Sequence, residues 1–384
     1  MNLIKNAKIL TMTNDEIIDG IIVFDDKIRY IGNDSSGFKI DTEYDLNGLY
    51  VMPGLIDAHC HLGMVEDSLG FEGDDTNDDS EPVTPQLRAI DAINPFDRCF
   101  ADAIKSGITT VVTGPGSANP ISGQFAAIKT YGSCVDDMIV KAPCAMKMSL
   151  GENPKSVYHS RNQMPLTRMG TAALIRETLY KAKEYMTALD DYEKNPDDND
   201  KPEYDIKYES LLPVLKKQIP VKFHAHRADD ICTAIRIAKE FDIEYTIEHC
   251  TEGELIADTL KKENVGVMLG PTMTDRSKPE LKNMSFSTYK KLSDMGVNVA
   301  IITDHPETTI DYLPLCASLA VKNGMDNMKA LHALTSNAAR NCKISDKVGT
   351  LEVGKDADFA VFDKLPCYFD SNCMMTFING KKVK

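Results

Sequence analysis

Residues 51–63 read VMPGLIDAHCHLG. An apolar run, Gly54–Ile56, leads straight into His59 and His61, with one residue between the two histidines. Side chains at i and i+2 of an extended strand project to the same side, so both imidazoles can reach one ion. The arrangement recurs down the chain. Val221–Phe223 leads into His224 and His226, Tyr245–Ile247 into His249, and Val299–Ile302 into Asp304 within AIITDHP. The chain has only 8 histidines, so their gathering at strand ends is not a matter of abundance.

Those runs belong to a longer series. Gly54–Ile56, Thr109–Thr113, Met138–Val140, Met146–Leu150, Val221–Phe223, Tyr245–Ile247, Val265–Leu269 and Val299–Ile302 alternate with helical stretches. Eight such runs are what a (β/α)8 barrel needs, and its strand C-termini all open on one face. The predicted fold is therefore α/β, with a (β/α)8 TIM barrel over residues 51–345. Ala172–Leu189 and Tyr208–Lys217 read as helices, joined by an acidic arm, Asp190–Asp205. GPGSAN (Gly114–Asn119) lacks the pattern of a phosphate loop and reads as a turn.

The two ends have a different texture. Leu3–Leu10, Gly20–Phe24 and Lys27–Ile31 are short β runs, as are Phe359–Phe362 and Met375–Ile378. Asn379–Gly380 is a strong hairpin signal. Neither end alone makes a stable sheet. Residues 1–50 and 346–384 are expected to pair into one small β-sandwich domain.

Composition narrows the function. The chain has 384 residues, with 43 Lys and Arg against 58 Asp and Glu, a net charge of −15. Such an acidic chain without a basic stripe is a poor partner for nucleic acid or an anionic membrane. The acidic runs Glu72–Glu81 and Asp190–Asp205 read as solvated surface, and no EF-hand spacing argues for calcium. No apolar stretch is long enough for a transmembrane helix, and the start of the chain lacks a signal-peptide core. Ten cysteines without a CxxC pair suit free thiols in a cytoplasmic protein. Clustered imidazole and carboxylate suit one or two divalent ions: zinc first, with manganese, iron or nickel as alternatives.

VMPGLIDAHCHLG, the His224 and His249 strand ends, TDHP (Thr303–Pro306), ALTSNAAR (Ala333–Arg340) and VGTLEVGKDADFAVFD (Val348–Asp363) together resemble the amidohydrolase superfamily of metal-dependent hydrolases. GPGSANPISGQ (Gly114–Gln124), MKMSLGENPKSVY (Met146–Tyr158) and HAHRADDI (His224–Ile231) are similar to its imidazolonepropionase-related branch. The resemblance implies that His59 and His61 bind the more buried metal. His224 and His249 would bind the more exposed one, with His224 preferred over His226 because it comes first after the strand. His226 would then contact substrate or support a ligand. Asp304 would be both ligand and proton shuttle.

Two residues compete for the bridging position. Lys147 could do so as a carbamate, which needs a neutral amine and hence a pKa lowered by burial. Glu152 offers a carboxylate without modification. Lys155, Arg161 and Arg227 are candidates to anchor an anionic substrate group, or are surface charges. The implied activity is hydrolysis of an amide or cyclic amide C–N bond in a small polar molecule. A ring-amine deaminase, a dipeptidase and a non-catalytic assembly protein on the same fold are the alternatives. The oligomeric state stays open, with a homo-oligomer, most simply a dimer, as the working expectation for such barrels.

Overall fold

A computed structural model describes all 384 residues, 1–384. The chain begins with five strands: β1 (Asn2–Leu10), β2 (Ile17–Phe24), β3 (Ile28–Gly32), β4 (Thr42–Asp45) and β5 (Tyr50–Pro53). β1, β2 and β3 form an antiparallel meander, and β4 and β5 both run parallel to β1. The chain then turns at Gly54 into the barrel. Glycine is required there by close approach, because a Cβ would lie 2.0 Å from Thr109 Oγ1.

The barrel sheet has eight strands: β6 (Leu55–Cys60), β7 (Ile108–Thr113), β8 (Ile121–Lys129), β9 (Ile139–Ser149), β10 (Val221–Ala225), β11 (Tyr245–His249), β12 (Gly266–Leu269) and β13 (Asn298–Ile301). They stand side by side in chain order. Backbone bonds just beyond the strand ends bring the last strand to the first: Asp304 N–H donates to the His59 carbonyl (3.2 Å), and His61 N–H to the His305 carbonyl (2.9 Å). β9 to β13 are mutually parallel, as are β6 and β7.

The strand count stands, but two of its members differ from expectation. Met138–Val140 and Met146–Leu150 are not separate strands; most of both lie in the single strand β9. The remaining strand is β8, whose apolar run Phe125–Ile128 was not among the eight counted. β8 runs antiparallel to both neighbours, so β7, β8 and β9 connect without intervening long helices. A hairpin-like link needs only a short turn where a parallel crossover needs a helix. GPGSAN is that turn.

The helix expected over Ala172–Leu189 runs from Arg168 to Lys194. The acidic arm therefore begins as helix, and its last residue, Asp205, caps the next helix, Ile206–Leu215, by accepting from the Lys207 and Tyr208 amides. No helix is long and apolar enough to cross a membrane.

The chain end returns to the first sheet as β14 (Phe359–Phe362), β15 (Cys373–Ile378) and β16 (Lys381–Lys382). β14 pairs antiparallel with β5, which joins the two chain ends and carries the sheet on to Pro53. Phe24, Phe359 and Phe377 meet at its centre, with centroids 4.7–5.6 Å apart. A separate apolar cluster draws Ile56, Val112, Phe125, Ala145, Met268 and Ala300 from six barrel strands. Lys129 at the end of β8 links the two units. Its ammonium pairs with Asp356 (2.6 Å) and Asp358, and Asp356 also pairs with Lys27.

Candidate active site

The strand order brings distant residues to one mouth. His59 is the penultimate residue of β6, His224 lies in β10, His249 ends β11, and His61, His226 and Asp304 stand just past their strands. Two groups result. His59, His61 and Asp304 offer ligand atoms all within 4.8 Å of one another, and so do His224, His226 and His249. Asp304 Oδ1 lies 3.3 Å from His59 Nε2 and 3.4 Å from His61 Nε2. His249 and Asp304 both have left-handed backbone, with φ of 70° and 53°. Such conformations are costly for residues other than glycine and concentrate at functional sites.

Each ring is held from behind. Gly114 carbonyl accepts from His61 Nδ1 (2.7 Å), and Gly270 carbonyl from His249 Nδ1 (2.8 Å). A carbonyl accepts only, so the ring proton is on Nδ1 and the Nε2 lone pair is free. His59 Nδ1 lies 2.9 Å from Glu248 Oε2, and His224 Nδ1 is 2.9 Å from Ser117 Oγ. His226 Nδ1 is 2.8 Å from Thr251 Oγ1. Burial, followed by like-charged neighbours, pushes His224 and His226 well below the ordinary histidine pKa, so the rings are neutral. Neutral imidazole is the form that binds a metal.

The fit to a metal rests on an unmet need. His224 Nε2 is buried and has no hydrogen-bond partner, while its Nδ1 is occupied. A buried nitrogen left bare costs free energy unless something coordinates it. With two further imidazoles beside it, the donor set suits a divalent cation.

Lys147 lies fully buried in β9, with Nζ 3.2 Å from His59 Nε2. Burial lowers its pKa to about 8. Glu152 opens the helix Glu152–His159, and its backbone amide donates to Glu280 Oε2 (3.0 Å). Of these two competitors, the structure places Lys147 against the first histidine group. The site opens into a cavity of about 440 Å³, lined among others by His61, His224, His226, Asp304 and Lys278. Neither Glu152, Lys155, Arg161 nor Arg227 lines it. Arg161 pairs with Asp79 (2.6 Å) and Arg227 with Asp229 (2.8 Å).

Most of the run Glu72–Glu81 is exposed, as expected, but its middle also reaches the site. Asp74, Thr76 and Asn77 line the cavity, and Thr76 is buried. The Thr76 carbonyl accepts from Gly116 N–H (2.8 Å) and Asn77 Oδ1 from Ala118 N–H (3.1 Å), so the run is pinned to the GPGSAN turn.

Sequence reasoning missed the residues beneath the histidines. Glu248 is fully buried, pairs with Lys222 (3.0 Å) and backs His59. Asp57 accepts from the His59 amide (3.2 Å) and the Thr303 amide (3.2 Å), tying the first strand end to the last. The IEH sequence at Ile247–His249 gave the only signal for Glu248. A third buried group, Asp97, Cys99 and His305, has ligand-type atoms within 4.8 Å. There the Ile310 amide donates to His305 Nδ1 (3.2 Å). The neutral ring must then carry its proton on Nε2, which makes that nitrogen a donor and not a ligand.

A barrel whose strand ends gather two imidazole groups and a carboxylate around one cavity is the frame of an enzyme with metal-ligand chemistry at its mouth. The chain belongs to the amidohydrolase family, whose model matches residues 50–383. That family consists of hydrolases acting on C–N bonds. The chain is 38% identical to an amidohydrolase from Thermotoga maritima MSB8 of known structure, with a TM-score of 0.96 and 100% of each chain covered. It is 26% identical over 361 residues to Amidohydrolase tasK of Hapsidospora irregularis, covering 88% of this chain and 36% of that protein. An adenine deaminase of Listeria monocytogenes is 26% identical over 371 residues, covering 92% of this chain and 53% of that protein. The chain thus spans about half or less of the length of these two relatives. Imidazolonepropionases also match, as the resemblance to that branch implied.

Proposed function

We propose that this protein hydrolyses a C–N bond, in an amide or cyclic amide, of a small polar molecule. The observation that carries the reading is the convergence of His59, His61 and Asp304 with His224, His226 and His249 on one cavity. His59, His61, His224, His249, Asp304 and Lys147 would hold one or two divalent ions, zinc first. A bound divalent metal lowers the pKa of water toward ~7 and supplies hydroxide near neutral pH.

The chain's own groups then handle protons and charge. Asp304 takes the proton of the attacking water and passes it to the leaving nitrogen. Its place between two imidazoles and the cavity suits both acts. His226 lines the cavity, and in the tautomer where Thr251 Oγ1 donates to its Nδ1 it would offer an Nε2 proton to the developing oxyanion. Lys147 has the lowered pKa that carbamate formation needs: the neutral amine adds carbon dioxide and releases a proton.

The test is metal content per chain, on protein purified without chelator. One or two transition-metal ions are expected in wild type. Lys147→Ala is expected to lose metal and Glu152→Ala to keep it. Wild-type protein that holds no metal, and rebinds neither zinc nor manganese, overturns the reading. Glu248→Gln is expected to weaken metal binding by roughly 10–100-fold, because the residue behind a ligating histidine sets its orientation and basicity. A zinc titration reads that change.

A second reading is deamination of a ring amine, favoured by the match to an adenine deaminase over 92% of this chain. The same proton chemistry serves both. Ammonia release from aminopurines, with no hydrolysis of amides, would select it.

A further inference from the structure

The cavity wall holds a single ammonium. Lys278 lines it beside the carboxylates Asp74, Asp304 and Glu307, and no other lysine or arginine does. Its Nζ lies 2.9 Å from Glu280 Oε1 and donates to Asn153 Oδ1 at 2.8 Å. Glu280 is itself clamped. Its side chain is 1% exposed, and its other oxygen accepts from the Glu152 amide (3.0 Å). Lys278 is therefore held by fixed partners rather than left to swing. An ammonium has three N–H donors. One is engaged by Asn153, and Glu280 Oε1 is an ion-pair neighbour that has no hydrogen-bond partner, so donors remain for a ligand.

The same Glu280 Oε1 lies 3.8 Å from His224 Nε2 and 3.7 Å from His226 Nε2. The ammonium and the two imidazoles thus meet one carboxylate oxygen from different sides. An anion on Lys278 sits only a few bonds from a group held at the histidines. Glu280 stands between the two positions and offsets the lysine's charge toward any cation on the histidines. Asp74 and Glu307 repel an anion from other parts of the wall.

We propose that Lys278 is the anion anchor of this site, and that the substrate carries a carboxylate a few bonds from the C–N bond cleaved. This deepens, and rests on, the hydrolase reading above. Lys278 takes the role that Lys155, Arg161 and Arg227 cannot fill from outside the cavity lining. It also sets direction: the carboxylate end lies toward Asn153 and the reacting carbon toward the histidines.

The test measures binding and turnover separately. N-acetyl-amino acids and their carboxamides, such as N-acetylalanine and N-acetylalaninamide, are titrated calorimetrically into zinc-supplemented protein. The variants are Lys278→Met, Lys278→Arg and the double variant Lys278→Met/Glu280→Gln, which removes the stranded carboxylate should the single variant fold poorly. Wild type is expected to bind acid over carboxamide by about tenfold or more, the worth of a charge-assisted hydrogen bond. Both methionine variants should lose that preference, and Lys278→Arg should keep part of it. Equal binding of acid and carboxamide by wild type, no binding of either, or a preference surviving in the methionine variants overturns the anchor. Turnover is read on the same pairs and on cyclic amides. A carboxylate preference without any hydrolysis upholds the anchor and counts against the hydrolase reading. Hydrolysis without the preference does the reverse.

Discussion

Asp304→Asn is expected to lower turnover by roughly 10²–10⁴-fold while leaving the fold in place, the usual contribution of a positioned acid–base group. The change keeps the side chain's shape and removes its ability to take a proton. Asp304 lies at the cavity, 13% exposed, and the hydrogen bond its backbone N–H donates to the His59 carbonyl does not depend on the side chain. Steady-state kinetics on the first substrate found, with a thermal melt and metal content on the same sample, check it. A loss below about tenfold, with metal retained, would remove Asp304 as the proton shuttle. Loss of metal along with turnover would instead make its main role that of a ligand.

Lys129→Met carries the largest expected stability effect. The lysine is 5% exposed and pairs with Asp356 and Asp358, whose side chains are 9% and 2% exposed. Burial, the largest influence on Asp358, raises its pKa even with the ammonium beside it. Removing the ammonium strands the Asp358 carboxylate between the barrel and the end sheet, while Asp356 keeps Lys27. Breaking a buried pair from one side costs about 3–5 kcal/mol, because the remaining charge has neither water nor a partner. Denaturant unfolding of wild type and variant reads this directly. The double change Lys129→Met/Asp358→Asn should recover part of the loss, since it removes the stranded charge as well as the pair. No recovery would mean that packing of the lysine stem, not charge, dominates.

Different parts of the molecule were legible to different degrees. The histidine pairs stood out because i, i+2 spacing and a preceding apolar run are local features. The end sheet was legible from short β runs at both ends, since neither could be stable alone. β8 was not: ISGQFAAIK has a glycine and polar residues near its start, and its antiparallel direction depends on partners on both sides. The same misreading split β9 in two. The acidic run Glu72–Glu81 looked solvated because charge usually is, yet the GPGSAN turn draws its middle onto the cavity.

The sequence by itself determined the barrel class and the sheet made from both chain ends. Each follows from local periodicity or spacing, which no later packing alters. Only the tertiary structure decided which side chains touch. Strand register put Lys222 and Glu248 beneath His59, and the turn after β7 put Gly114 behind His61 and Ser117 behind His224. The loop after β12 carried Lys278 to the cavity, while Arg161 and Arg227 paired elsewhere. Those outcomes depend on through-space distances between residues far apart in the chain. Charge and residue type alone cannot report them.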